Sequence, residues 1–318
     1  MTLPSGAAAA AGLALGYLAD CLLGDPQQRH PVAAFGRLAA GLEQSGYADR
    51  RLAGVRHVGA LVGGAVVLGT LLERAGRRHP AGSTVIAAAA AWTVLGGRSL
   101  SIEARTVAYQ LEADELELAR ERVRNLVGRQ TAGLPAAEVA RATVESVAEN
   151  TSDAVVAPLF WGVVAGVPGL LGYRAANTLD AMIGHRSARH LRFGWAAARL
   201  DDLANWIPAR ITGLLAAVLA PIVGGSSAAA LATWRRDARQ HPSPNGGVVE
   251  AAFAGALGVR LGGRNVYGGE AEDRGLLGDG RSVQVGDVDR AVKLSRAVSV
   301  GAAALAVAGS LLRRARSA

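Results

Sequence analysis

Four short stretches of this chain concentrate residues whose types and spacing suit chemistry. Glu145-Ser-Val-Ala-Glu149-Asn150-Thr-Ser-Asp153 places Glu145 and Glu149 one helical turn apart, where like charges repel by a few tenths of a kcal/mol. Asn150 and Asp153 add oxygen donors just ahead of an apolar run. Such an oxygen-rich set suits Mg²⁺, and the alternative is structural: Arg141 paired with Glu145, with Asn150 or Ser152 capping the next helix. Arg174, Asn177 and Asp180 follow at spacings of three, on one helical stripe, with His185 beyond. The same stretch continues with Arg199, Asp201, Asp202, Asn205 and Arg210, with Asp201 and Asn205 as i,i+4 neighbours; juxtamembrane salt bridges are the alternative reading. Asp25-Pro26 and His30-Pro31 define a stiff extended loop, because the residue before proline avoids the helical region. Finally, His241-Pro-Ser-Pro-Asn245-Gly-Gly is a turn whose backbone amides could cradle an anion.

These stretches lie between apolar segments. Of the 318 residues, 50% are hydrophobic and 19% charged, against about 25% charge in a typical soluble domain. Uncharged runs occupy 2–19, 58–72, 79–97, 154–173, 211–234 and 297–312. About 20 residues cross a bilayer, so 211–234 is the strongest run, and arginines beside the shorter ones can snorkel. The first run lacks a basic leader and reads as a retained membrane segment rather than a cleaved signal. The polar regions are 20–55, 98–153, 174–210 and 235–296. In the second, Val107, Leu111 and Leu118 recur at helical spacing, and Pro135 fits the start of a helix ending near Glu149. The last, Gly-rich and opened by a Pro/Asn/Gly cluster, reads as loop with short helices. The expected fold is all-α: one polytopic membrane domain, 1–318, with five or six apolar helices and helical loops.

Composition narrows function further. The net charge of +8 is almost wholly arginine, with Lys293 the single lysine. The positives are spread among acids with no aromatic-basic stripe, which points to membrane-flanking charge and away from nucleic acid. Cys21 stands alone, so neither a disulfide framework nor a cysteine zinc site exists. No phosphate-binding P-loop, dinucleotide fingerprint, H-E-x-x-H or G-x-S-x-G is present.

Read in order, GDPQQRHPVAAFGRL, VESVAENTSDAVVAPLFW, YRAANTLDAMIGH, FGWAAARLDDLANWIPAR and RQHPSPNGGVVEAAFAGALGVRLGGRNVYGGE resemble the CobD/CbiB family of cobalamin biosynthesis, membrane adenosylcobinamide-phosphate synthases. The blocks run from near residue 20 to about residue 270 in the family's order. The resemblance implies an ATP-consuming acid–amine ligase in the cell (inner) membrane. Its partners would be the corrinoid adenosylcobyric acid and (R)-1-aminopropan-2-ol or its phosphate. Residue chemistry then suggests roles. Glu145, Glu149, Asp153 and Asp201 would hold Mg²⁺. His30, Asp153, Asp180, His185 and Asp202 would serve catalysis. Asp25, Asn150, Arg174, Asn177, Arg199, Asn205, Arg210, His241 and Asn245 would bind substrates. A transporter of a small anion or corrinoid precursor is the rival reading.

Cytoplasmic ATP requires both flanks of the 154–173 run on one side if Asp153 and Asp180 share a site. Pro158, Pro168 and four glycines weaken that run, which is therefore expected to be broken or re-entrant. Cysteine-accessibility mapping should place positions 150 and 178 on the same face; opposite faces would refute re-entrance.

Overall fold

A computed structural model describes residues 6–24, 30–128, 130–185, 187–267 and 270–315. The chain forms α1 (Gly6–Leu23), α2 (Pro31–Gly46), α3 (Arg51–Gly76), α4 (Pro80–Val94), α5 (Gly97–Glu112), α6 (Leu116–Val123) and α7 (Ala136–Thr151). Then come α8 (Ala157–Leu179), α9 (His190–Phe193), α10 (Trp195–Ala204), α11 (Trp206–Leu219), α12 (Ser227–Asp237) and α13 (Gly246–Leu257). A hairpin of β1 (Leu261–Tyr267) and β2 (Glu270–Leu277) precedes α14 (Gly286–Ala315). Six helical stretches among the described residues are long and apolar enough to cross a membrane: Gly6–Leu23, Arg51–Gly76, Ala81–Glu112, Ala136–Gly184, Trp206–Val223 and Gly286–Leu312. The expected all-α polytopic architecture is what the chain adopts.

The chain divides into two compact units, one of residues 1–96, 153–205 and 302–318, the other of 97–152 and 206–301. Small residues set the packing of the first, as suits helices that gain little from burying apolar surface in lipid. On α1, a Cβ added at Gly12 or Gly16 would lie 2.5 Å from Ala87 or Ala91 of α4. On α3, one added at Gly69 would lie 2.7 Å from the Pro168 Cα of α8.

The expected break in the 154–173 run is present, inside α8. Gly166 adopts φ 68° and ψ −148°, which interrupts the helix just before Pro168. The freed Val167 N–H donates to Glu73 Oε2 at 3.1 Å, and Glu73 Oε1 accepts from Arg77 Nη2 at 2.6 Å. The Glu73 carboxylate thus caps the second half of α8 from the neighbouring α3.

In the second unit α13 is buried along its whole length. A glycine at 255 lets α12 approach closely: a Cβ there would sit 2.6 Å from the Ala229 carbonyl. The hairpin is antiparallel, with Leu261 opposite Leu277 and a register shift between Gly262 and Arg264. Asp237 fixes its end, Oδ2 accepting from the Gly278 N–H at 2.8 Å.

Three expectations change. The 211–234 run is not one span: Pro221 turns the end of α11 into a 3₁₀ segment, Gly224 takes a left-handed conformation, and Ser226 caps α12 by accepting from the Ala229 N–H. Region 235–296, expected as loop with short helices, holds the short helix α13 but also a hairpin and the start of α14. Leu118 is exposed, on α6, away from the buried face of Val107 and Leu111 on α5. Pro135, by contrast, stands at the α7 N-cap as expected.

Glu73→Ala leaves the Val167 N–H and the Arg77 guanidinium without their acceptor in apolar surroundings. A destabilisation of about 2–3 kcal/mol is expected, read as a lowered unfolding midpoint in detergent, with Glu73→Gln intermediate.

Candidate functional site

Each unit carries a polar cluster set back from the surface, part-buried in the first and more deeply buried in the second. That of the first joins residues from three separate segments. Two π-helical turns, Ser152–Val156 and Asp180–Gly184, bracket α8; such turns widen a helix by one residue and recur at functional sites. Asp153 sits in the first turn, and Asn177 lies one helical turn before the second. Asn177 Nδ2 donates to Asp153 Oδ2 at 3.3 Å and to Asp201 Oδ1 at 3.2 Å. Asp201 Oδ2 accepts from Asn205 Nδ2 at 2.9 Å, the i,i+4 pair of the sequence. Tyr173 completes the network, its hydroxyl lying 2.8 Å from Asn205 Oδ1 and 3.2 Å from the Asp153 carbonyl. Loss of water around Asp201 pushes its carboxyl up to about 6, against the pull of the two asparagine amides.

The other nominated residues of this unit are distributed around that network. Arg174 Nη1 reaches Asn177 Oδ1 at 3.4 Å. Arg199 and Asp202 pair at 3.4 Å on the exposed side of α10, and burial raises the Asp202 pKa. Asp180 lies in the second π turn, where a Cβ at Gly184 would strike its carboxylate. His185 stacks edge-on against His190 at 5.1 Å, and His190 Nε2 contacts Glu43 Oε1 at 3.1 Å. Burial, then the charge of His190, lowers the His185 pKa. His30 caps α2, its Nδ1 accepting from the Val32 N–H at 3.1 Å. Asp25 lies outside the described residues.

In the second unit Glu145 serves the fold: Oε1 accepts from Arg141 Nη1 at 2.6 Å and from the Gly262 N–H at 2.8 Å. Arg141 also bonds the Gly262 carbonyl, so this pair holds the hairpin to α7. The structural alternative for Arg141 and Glu145 is thus realised. Asn150 is turned back on α7, bonding Ser146. Arg210 donates to Asn245 Oδ1 at 2.6 Å and to the Pro244 carbonyl at 3.1 Å, locking the Pro/Asn turn. A groove of about 530 Å³ opens beside that turn, lined by Arg210, Arg235, Arg239, His241, Trp234 and Pro244, among others, with no carboxylate on its wall.

Behind the groove lies a cluster of Glu149, His241 and Glu250, with Arg274 of β2 alongside. His241 Nε2 and Glu250 Oε1 are 3.2 Å apart, and both side chains are sealed from solvent. The α13 helix, at 12 residues, is too short to span a bilayer. Burial pushes the Glu250 carboxyl up to about 7, helped by the negative charge of Glu149. Burial disfavours charge on His241 too, but the carboxylate of Glu250 outweighs it and the imidazole pKa is raised.

Sequence reasoning singled out neither Glu250 nor Arg274 nor Tyr173. For Glu250 a signal was present: it is the lone charge in the otherwise uncharged segment 246–257, and a carboxylate on a wholly buried helix needs partners.

These features define a polytopic helical membrane protein with two carboxylate networks set back from the surface and an arginine-lined groove. Residues 13–295 match the model of the CobD/Cbib protein family, and this chain belongs to that family. The cobalamin biosynthesis protein CobD of Mycobacterium tuberculosis is 56% identical over 299 residues, 94% of this chain and 95% of that protein. The protein of the same description from Geobacter metallireducens is 46% identical over 270 residues, 82% of this chain and 84% of its own. That from Rhodobacter capsulatus is 45% identical over 278 residues, 86% of each. No solved structure matches the chain. The chain therefore has a role in cobalamin biosynthesis.

The Asp201 carboxyl supplies a pH test. Its folded pKa, about 6, exceeds the 3.8 of an exposed aspartate. The folded protein thus holds this proton more tightly, and the resulting stability is present below pH 3.8 and lost as pH rises through 6. Relative to Asp201→Asn, the wild-type unfolding midpoint should fall between pH 4 and 6.5 and level above it. A difference independent of pH would show that the carboxyl titrates normally.

Proposed function

We propose that this chain is an acid–amine ligase that joins adenosylcobyric acid to (R)-1-aminopropan-2-ol or its O-phosphate at the expense of ATP. The product is adenosylcobinamide or its phosphate. The observation that carries the reading is the convergence of Asp153, Asn177, Asp201 and Asn205, four polar residues from three segments, on one point. A fold alone does not require part-buried carboxylates bridged by an amide, since withdrawing charge from water carries a desolvation cost.

Amide formation from a carboxylate needs activation, because hydroxide leaves poorly. In the proposed sequence the propionate oxygen attacks a phosphorus of ATP and a P–O bond of ATP breaks. The amine nitrogen then attacks the acyl carbon, and phosphate or AMP departs with the former carboxylate oxygen. Mg²⁺ would neutralise the phosphates, and Asp153 and Asp201 fit it. Both carboxylates already face the single position taken by Asn177 Nδ2, and rotating that amide would present its oxygen instead, giving the all-oxygen set that Mg²⁺ prefers. In the groove, Arg210, Arg235 and Arg239 are suited to phosphate or to the acidic edge of the corrin. His185, with its lowered pKa, is neutral near pH 7 and suited to accept the amine's proton. The Nδ1 lone pair of His30 is engaged in capping α2. The protein is placed by this reading in the cell (inner) membrane with its site facing the cytoplasm, where ATP is.

A second reading, transport of a small anion or corrinoid precursor, draws on the broken α8 helix, since discontinuous helices line binding sites in many transporters. One assay separates the two. Purified protein is incubated with adenosylcobyric acid, ATP, Mg²⁺ and either amine, and the corrinoids are resolved. Product formation is expected, with Asp153→Ala and Asp201→Ala each slowing it by about 100-fold, the scale of removing a group that meets transition-state charge. Absence of product with both amines refutes the ligase reading, and uptake of adenosylcobyric acid by proteoliposomes would then support transport.

A further inference from the structure

We propose that Glu149, His241 and Glu250 form a resident site for a divalent transition metal, separate from the Mg²⁺ that accompanies ATP. Among the described residues they are the group of three potential ligand side chains whose donor atoms all lie within 4.8 Å of one another. The distance is slightly longer than that between opposite ligands of a bound ion, about 4.2 Å at bond lengths near 2.1 Å, so small side-chain rotations close it.

Orphaned atoms inside the cluster point the same way. Glu250 is fully buried, yet beyond the 3.2 Å contact between its Oε1 and His241 Nε2, which lacks hydrogen-bond geometry, neither carboxylate oxygen has a hydrogen-bond partner. Unsatisfied buried groups of this kind are costly. Arg274 does not satisfy them: its guanidinium nitrogens stand 3.7 Å from Glu149 Oε1 and 4.0 Å from Glu250 Oε1, beyond hydrogen-bond range. The chain also reserves room for Glu149, since a Cβ at Gly246 would lie 2.8 Å from its Oε1 and 3.1 Å from His241 Cε1.

The loop behind the imidazole serves either tautomer. His241 Nδ1 accepts from the Ser243 N–H at 3.0 Å when the proton is on Nε2, and lies 3.2 Å from the Ser243 carbonyl oxygen, to which it donates when the proton moves to Nδ1. In the second tautomer Nε2 presents a lone pair to the cluster. A metal ion at Nε2 selects that tautomer, with the carbonyl taking the Nδ1 proton. One nitrogen and two carboxylates favour Mn²⁺, Fe²⁺, Co²⁺ or Zn²⁺ over the oxygen-seeking Mg²⁺. The ion would neutralise two acids that otherwise repel each other beside the arginine groove.

Metal binding is read without substrates, so it stands or falls apart from the ligase assignment. Full-length protein in detergent at pH 7.5 is stripped with a chelator and titrated with Mn²⁺ by electron paramagnetic resonance and with Zn²⁺ by calorimetry. One ion per chain is expected, unaffected by millimolar Mg²⁺, with a raised unfolding midpoint. His241→Asn and Glu250→Gln should each weaken binding by roughly 10- to 100-fold, the scale seen when a metal site loses a supporting group. Gly246→Ala, which keeps all three ligands but crowds Glu149, should weaken it less. Circular dichroism identifies any variant that fails to fold, in which case Gly246→Ala carries the test. Absence of stoichiometric binding of either ion, or unchanged affinity in the variants that fold, overturns the site.

Discussion

Away from water, every backbone N–H and C=O must find a partner inside the chain, and each one left over costs several kcal/mol. That constraint makes the apolar segments helical and dictates what happens where a helix stops. Gly166 breaks α8, and the N–H this frees at Val167 cannot be left to lipid. It is met by Glu73, a carboxylate beyond the uncharged middle of α3, whose own charge is in turn met by Arg77. Glu73 and Arg77, one helical turn from each other but far from Gly166 in sequence, are thus both engaged by one interruption. The interruption in turn separates the run that follows Asp153 from the turn of helix that carries Arg174 and Asn177.

The two clusters solve the problem of buried carboxylate charge differently. The Asp153 and Asp201 carboxylates accept from neutral amides, which spread charge without cancelling it, and burial leaves Asp201 with a raised proton affinity despite them. Glu145 is neutralised outright by Arg141 and a backbone N–H, an arrangement that fixes the hairpin rather than leaving ligand atoms free for a guest. Glu250 has His241 at 3.2 Å and Arg274 at 4.0 Å but no hydrogen bond to either oxygen, and for that reason the cluster around it, rather than Glu145, has the stronger claim to a metal. Proximity of acids in sequence did not distinguish these cases; the identity of the donors facing each oxygen does.

Much of the fold was legible because it follows from local rules. Uncharged runs, Pro135 at a helix start and the weakened 154–173 segment all report on the backbone within a few residues. The 211–234 run misled because absence of charge was weighed above Pro221, Gly224 and Ser226, three signals that end one helix and begin another. The hairpin was missed although Gly268-Gly269 between Tyr267 and Glu270 is a turn dipeptide in the sequence. The candidate site was legible in part: spacing aligned Arg174 with Asn177 and Asp201 with Asn205, but no periodicity could bring Asp153 to the same asparagine.

What joins those segments is the offset introduced by the π-helical turns. A π turn inserts one residue into a helix, rotating everything beyond it by about 100° relative to an unbroken α-helix. Asp153 lies within such a turn and Asn177 lies three residues before the next. Helical-wheel reasoning carried through residues 152–156 therefore assigns wrong faces downstream, even where every helix boundary is right. The side chains most useful for chemistry are those whose facing depends on the irregularity, because a regular helix would have placed them by its apolar stripe alone. The widened turn is held by the hydrogen bonds that Asn177 and Tyr173 make to Asp153, so the irregular backbone and the site are two aspects of one arrangement.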